Sequence, residues 1–313
     1  MEQITIETTD KHWLPYLLVV LFFGALMTAI QFTVPEIIGY DGYFHMRMAD
    51  LIIENGFIQE FPFTTASILS GSFANLQWLF HVILGPFTYL GLMLGAKIAA
   101  IISSTFFLAV FYWFLRKRGI NYPFFWTLLL TFASVDFIYR QHLGRPLPLA
   151  LAGLFITMYF LQKRNYKGLF ITTMLYTWLY PGVIVQLFIV LAYSLFLLST
   201  ERKFPRKLFF LPLIGFLAAM VINPYSPANV SFLFTQIVKV NMLGNLFNQE
   251  WRPWSFPELI SYNWVPLLLL AVCFFLILKE RKAAKEGIFY LGLSLFFLIY
   301  MLKTRRMHEY FLP

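Results

Sequence analysis

Nine apolar runs, each long enough to cross a bilayer as a straight, short or kinked helix, dominate this chain and leave it few folds to choose from. They lie near 13–32, 96–115, 124–139, 147–161, 169–180, 183–198, 208–222, 264–278 and 287–302. Inside hydrocarbon every backbone N–H and C=O must be satisfied within its own segment, so runs of this length read as helices. The expected fold is therefore all-α: a polytopic transmembrane bundle of about nine spans in a single domain over 1–313. A tenth apolar stretch, 78–90, contains Gly85 and Pro86 and is too short to cross comfortably.

Positive charge decides where that stretch goes. Four basic clusters hold 14 of the 24 Lys and Arg residues: Arg116 to Arg118, Lys163 with Arg164 and Lys167, Arg202 to Lys207, and Lys279 to Lys285. With 78–90 lying along the interface, all four fall on one side, as the positive-inside rule requires. With it spanning, the first cluster is stranded alone. The interfacial placement makes 36–95 the first extracytoplasmic loop, with the turn at 140–146, the loop 223–263 and the tail 303–313 emerging on the same face. The acidic N-terminus (Glu2, Glu7, Asp10) and the lack of a small-residue cleavage site read as a retained anchor.

Charge and cysteine content exclude other classes. The net charge of +9 invites a nucleic-acid reading, but no basic stripe or nucleic-acid motif occurs and topology explains most of the excess. One cysteine, Cys273, sits in an apolar run and supports neither a disulfide framework nor a zinc cluster. The spans carry almost no ionisable groups away from their ends, whereas ion-coupled transporters place acids and bases near the midplane.

The cations on the outer face need a different explanation, because topology does not require them there. Arg47, Arg140, Arg145, Arg252, Arg305 and Arg306 are nearly all of them, and guanidinium is the group that grips phosphate bidentately and tolerates partial burial. Asp41 opens a stretch in which Phe44, Met48 and Leu51 recur at helical spacing while Arg47, Asp50 and Glu54 share another face, an interfacial amphipathic pattern. Asp41 reads either as an N-cap or as a carboxylate that deprotonates an acceptor hydroxyl or holds a metal. His45, one turn later, is a candidate hydrogen-bond partner for it. In Arg140-Gln-His-Leu-Gly-Arg145, an i, i+4 pair with Asp136 accounts for Arg140 alone, leaving His142 and Arg145 over. Glu250-Trp-Arg252 adds another acid and cation, and Lys303-Thr-Arg-Arg306 reads as snorkelling or as an anion site. Trp251, Trp254, Tyr262 and Trp264 fit an outer aromatic belt and Tyr112, Trp113, Tyr122 and Trp126 an inner one.

These residues carry a resemblance. A first outer loop opening with Asp41-Gly-Tyr-Phe-His-Met-Arg47 resembles that of GT-C glycosyltransferases, and its Asp-Gly-Tyr start is similar to the first-loop motif of oligosaccharyltransferase catalytic subunits. More of the chain is similar to a group of bacterial GT-C-like membrane proteins: Asp41 to His45, Asn55-Gly56 to Pro62-Phe63, Gln77-Trp78-Leu79, Gly144-Arg-Pro146, Trp178 to Gly182, Asn223-Pro-Tyr225, Glu250-Trp251 and Arg305-Arg306. The resemblance implies an enzyme that moves a sugar from a polyprenyl-phosphate-linked donor to an extracytoplasmic glycan, lipid or protein acceptor at the cell membrane. It implies Asp41, with His45, as the catalytic or metal-binding acid of the loop, and Arg47, Arg140, His142, Arg145, Arg252, Arg305 and Arg306 as the phosphate-binding set. A divalent cation, Mg2+ or Mn2+, at Asp41 belongs to the same expectation, as does a chain continuing past Pro313. Where oligosaccharyltransferases carry a second acidic motif, this chain has Arg145-Pro-Leu-Pro148, which sets peptide N-glycosylation aside. The rival readings are a lipid-linked-sugar flippase or transporter and an inactive structural subunit of a membrane glycosylation complex.

Overall fold

The computed structural model describes residues 13–61, 63, 73–236, 249–280 and 285–313. The acidic N-terminus, Pro62, and Arg281 and Lys282 of the fourth basic cluster lie outside these residues. All regular structure among the described residues is helical. In chain order the α-helices are α1 Leu14–Gln31, α2 Asp41–Asn55, α3 Trp78–Thr88, α4 Leu92–Lys117, α5 Pro123–Phe132, α6 Val135–Gln141 and α7 Leu147–Gln162. They continue as α8 Tyr166–Leu179, α9 Val183–Glu201, α10 Arg206–Val221, α11 Ala228–Phe234, α12 Phe256–Glu280, α13 Lys285–Lys303 and α14 His308–Phe311.

Five of these, α1, α4, α9, α12 and α13, are long and apolar enough to cross a membrane. The other four expected spans fall on shorter helices: α7 and α10 of 16 residues each, α8 of 14, and α5 of 10. The run expected as one span over 124–139 is broken, because Ser134 is extended (φ −153°, ψ 133°) and separates α5 from α6. An outward girdle of exposed side chains, Leu21, Phe275 and Ile299 among them, is apolar in the way a lipid-facing surface is and a water-facing one is not.

The core lies where α4 packs on α1 and α7, with α7 on α8 and α8 on α10. Phe23, Phe107, Leu108, Phe137, Leu151 and Leu161 interlock there, all fully buried. Polar side chains tie the helices together in that apolar interior. Gln186 Nε2 of α9 donates to Thr157 Oγ1 of α7 at 2.7 Å, Ser104 Oγ of α4 to the Gln141 carbonyl at 2.5 Å, and Trp178 Nε1 of α8 to the Ala219 carbonyl at 2.8 Å. Lys97 is buried in the first turns of α4, and its ammonium donates to the Gln31 and Val34 carbonyls at 3.3 and 2.5 Å. It caps the C-terminus of α1, where the helix dipole favours a cation.

The basic clusters gather at one end of this bundle. Arg118, at the end of α4, donates to Gln162 Oε1 at the end of α7 (3.1 Å) and pairs with Glu286 at the start of α13. Arg164, after α7, pairs with Glu201 at the end of α9, and the Lys207 ammonium sits 5.8 Å from the ring centre of Tyr166. Arg145 and Pro146 lie at the opposite end of α7, one helix length (about 24 Å for 16 residues) from Lys163.

α2 and α3 pack on each other and on α4 at that second end. α2 buries His45, Met46, Met48, Ala49 and Leu51, whereas Phe44, expected on the apolar face, is 44% exposed. The tail, expected on the same face as the first loop, lies at this end beside Asp41 and Arg145, where it turns back through a 3-10 turn at Arg305–Met307 into α14, burying His308, Glu309 and Phe311.

Candidate functional site

A polar cavity of about 200 Å3 opens at the end of the bundle away from the basic clusters, lined chiefly by Asp41, His45, Arg145, Glu250, Arg306 and Glu309. Six segments distant in sequence build it: the start of α2, Gln77 before α3, the α6–α7 turn, Tyr180 after α8, the short turn at Gln249–Trp251 and the returning tail.

Asp41 is the first residue of α2, and the capping position is Tyr40, which makes no side-chain capping bond. The carboxylate of Asp41 is thus not used on its own helix and pairs with Nε of Arg145. A close backbone approach makes that pairing possible. Gly144 holds φ at +65°, and a Cβ placed on it would lie 3.1 Å from the Gly42 Cα. Gly144→Ala is expected to strain the turn and push α2 away, destabilising the protein by about 1–3 kcal/mol and separating Arg145 from Asp41. Thermal unfolding in detergent, set against Gly287→Ala, where an added Cβ meets no neighbour and stability should hold or rise, checks this.

Arg145 and Arg140 tie the cavity to a buried ionic network. Arg145 Nη1 donates to Glu250 Oε1 at 2.8 Å. Arg140, 6% exposed, donates to Asp136 at 2.8 Å and to the buried Glu309 at 2.6 Å, and reaches Glu250 at 3.6 Å. The i, i+4 pair with Asp136 is therefore present but is only part of what Arg140 does. Burial would push the Glu250 carboxyl up; Arg145 and Arg140 outweigh it and hold it below its ordinary value. Arg306 makes the loosest of these ion pairs, 3.9 Å from Glu250, and its guanidinium lies 5.2 Å from the Trp251 ring centre. The segment carrying Glu250 is fastened to the tail by Arg305 N–H donating to the Arg252 carbonyl at 3.0 Å and Thr304 Oγ1 to the Glu250 carbonyl at 3.1 Å.

His45 lines the cavity but does not bond to Asp41. Its Nδ1 lies 2.8 Å from Nε2 of His81, whose Nδ1 lies 2.7 Å from Nδ2 of Asn75, and all three side chains are buried. Burial lowers the His45 pKa to about 4, Asp41 pulling it partly back up and Arg145 down, so the ring is neutral at pH 7. Burial, followed by the neighbouring His45, holds His81 well below its usual range.

Of the expected site residues, Asp41, His45, Arg145 and Arg306 line the cavity, and Arg140 stands behind it. Four others lie elsewhere. Arg47 is exposed on α2 beside Asp50, with Glu54 at 3.8 Å. Its replacement by Ala is expected to change unfolding free energy by less than about 0.5 kcal/mol and leave activity unaltered, because an exposed pair contributes little. His142 is buried with Nδ1 on the Ile138 carbonyl at 2.8 Å. Arg305 donates to Glu258 at 2.5 Å and stacks 4.7 Å from the Trp254 ring centre, while Arg252 is exposed. Trp251 and Trp254, read as belt anchors, thus also hold guanidinium groups in place. Glu250 and Glu309 were not among the expected site residues; the lone acid one turn beyond Arg305-Arg306 was the available signal for Glu309.

The residues present do not fit the Mg2+ or Mn2+ expected at Asp41. Arg145 takes its carboxylate, and among the described residues no group of three or more His, Cys, Asp or Glu side chains is placed to hold a metal ion. A scan against protein-family models finds no match, and no curated protein sequence matches the chain.

Proposed function

We propose that this chain is an integral-membrane glycosyltransferase of the GT-C type, with about nine spans and its cavity on the extracytoplasmic side, that moves a sugar from a polyprenyl-phosphate-linked donor to an acceptor hydroxyl. The observation that carries the reading is the convergence of Asp41, His45, Arg145 and Arg306 on one polar cavity at the end of the bundle opposite the basic clusters. Such a place suits a substrate whose head is anionic and whose tail stays in lipid. The acceptor oxygen attacks the anomeric carbon, the bond from that carbon to the phosphate oxygen breaks, and polyprenyl phosphate leaves with the electron pair. Arg306 and Arg145 hold the leaving phosphate, where preorganised cations act most strongly. Asp41 takes the acceptor's proton. Short helices such as α5 with α6, and α8, cross as the remaining spans, with apolar side chains such as Phe125, Phe132 and Ile171 exposed for lipid to cover.

The pairing of Arg140 and Arg145 with carboxylates favours a second reading, that of an ionic clamp in an inactive structural subunit. Incubating the purified chain in nanodiscs with labelled polyprenyl-phosphate sugars and a range of hydroxyl acceptors separates the two. Label appearing on an acceptor supports the enzyme. Donor lipid that neither binds nor turns over leaves the clamp.

A further inference from the structure

Outside the arginine network, the buried group with most left to explain is the imidazole pair behind the cavity. Its hydrogen bonds have only one consistent arrangement of protons. The backbone N–H of Gln77 donates to Asn75 Oδ1 at 3.0 Å, which turns the Asn75 amide so that Nδ2 faces His81. An amide nitrogen only donates, so His81 Nδ1 is the acceptor and carries no proton. A neutral imidazole then holds its proton on Nε2, which donates across 2.8 Å to His45 Nδ1. His45 Nδ1 is in turn bare, and its proton sits on Nε2. The reverse direction would require His81 to accept at both nitrogens, leaving a ring with no proton at all.

The geometry points to His45 as a fixed N–H donor to an anionic oxygen in the cavity, set in that tautomer by Asn75 and His81 as positioning residues. A side chain that reads in sequence as a partner for the base is then an extension of the arginine wall. Asp41 is left as the proton acceptor among the two. The tautomer assignment stands on the hydrogen bonds alone; the identity of the anion, a lipid-borne phosphate, rests on the proposed glycosyltransferase reading. Nothing in the relay requires a charged histidine, which suits its burial.

Ring-15N-histidine labelling of the whole chain in nanodiscs tests this, since the chain contains five histidines and His45→Gln assigns the signal. At pH 7 the expected His45 signature is protonated Nε2 with unprotonated Nδ1. A protonated Nδ1 overturns the relay. In Asn75→Ala the His45 signal should divide between both tautomers; an unchanged signal removes Asn75 as a positioning residue. Should that variant fail to fold, the wild-type spectrum alone decides the assignment. Adding farnesyl phosphate should shift the His45 Nε2–H resonance, with farnesol inert, and Asn75→Ala should bind farnesyl phosphate about twofold more weakly, because only about half of the His45 rings then hold the donating tautomer. A shift with inorganic phosphate but none with farnesyl phosphate overturns the lipid-borne ligand while keeping the donor. No shift with either, in a protein showing the expected tautomer, overturns the anion-binding role.

Discussion

Asp41→Asn is expected to lower sugar transfer by about 10²–10⁴-fold, the range over which a positioned general base acts, while leaving the protein folded and able to bind donor lipid. The substitution keeps the shape of the side chain and removes only its basicity and charge. Its effect on stability should be small, because the carboxylate is 44% exposed and Arg145 retains Glu250 at 2.8 Å when Asp41 is neutralised. The separation of the two measurements matters. A variant that binds labelled donor with near-normal affinity yet fails to transfer sugar identifies Asp41 as the proton acceptor. Turnover within a few-fold of wild type removes it from the chemistry, and with it the mechanism proposed here. Loss of donor binding alongside turnover instead assigns Asp41 to holding Arg145 in place.

Much of the fold was legible because run length and periodicity are local properties. The 26 residues of α4 and 25 of α12 stand out as apolar stretches, and the i, i+3, i+7 spacing of Arg47, Asp50 and Glu54 correctly gives α2 a polar outer face. Burial within α2 was read less well, since Phe44 is exposed and His45 buried: which apolar side chain faces in depends on α3 and α4, not on α2 alone. The break between α5 and α6 carries neither Gly nor Pro. Ala133-Ser134 bends where α6 must turn Arg140 toward Glu250 and Glu309, a demand from the far end of the chain.

The site was legible in its residue types and hidden in its partnerships. Arginines on a face where topology does not call for them are visible in the sequence, and Arg140, Arg145 and Arg306 do come together. Arg47, Arg252 and Arg305 obey the same argument and lie elsewhere, because an orientation rule assigns a side of the membrane and not a place on it. The acids that hold the arginines are remote in sequence: Arg145 meets Asp41 across 104 residues and Arg140 meets Glu309 across 169. Only contacts reveal such pairs. The histidine relay was hidden for the same reason, with His81 on a different helix from His45.

Arg140→Met is expected to cause the largest loss of stability of any single change considered, about 3–5 kcal/mol, because it strands carboxylates rather than removing an exposed contact. Glu309 is 3% exposed at its side chain and bonds Arg140 at 2.6 Å, and Asp136 bonds the same guanidinium at 2.8 Å. Without Arg140, two negative charges remain in a protected site beside Glu250. Glu309→Gln should cost less, about 1–3 kcal/mol, since Arg140 keeps Asp136 and Glu250 while the amide still accepts a hydrogen bond. The double variant Arg140→Met, Glu309→Leu should recover part of the loss, as buried ion pairs replaced by apolar groups often do. Unfolding in detergent, read as a double-mutant cycle, gives the coupling directly. The pair also anchors the returning tail, so breaking it releases Arg306 from the cavity and should abolish transfer together with lipid binding, in contrast to Asp41→Asn. An Arg140→Met protein that unfolds like wild type would mean that the tail is docked by Phe311 and Met307 alone. The ionic network would then have no structural task, and its carboxylates would have to be explained by the substrate.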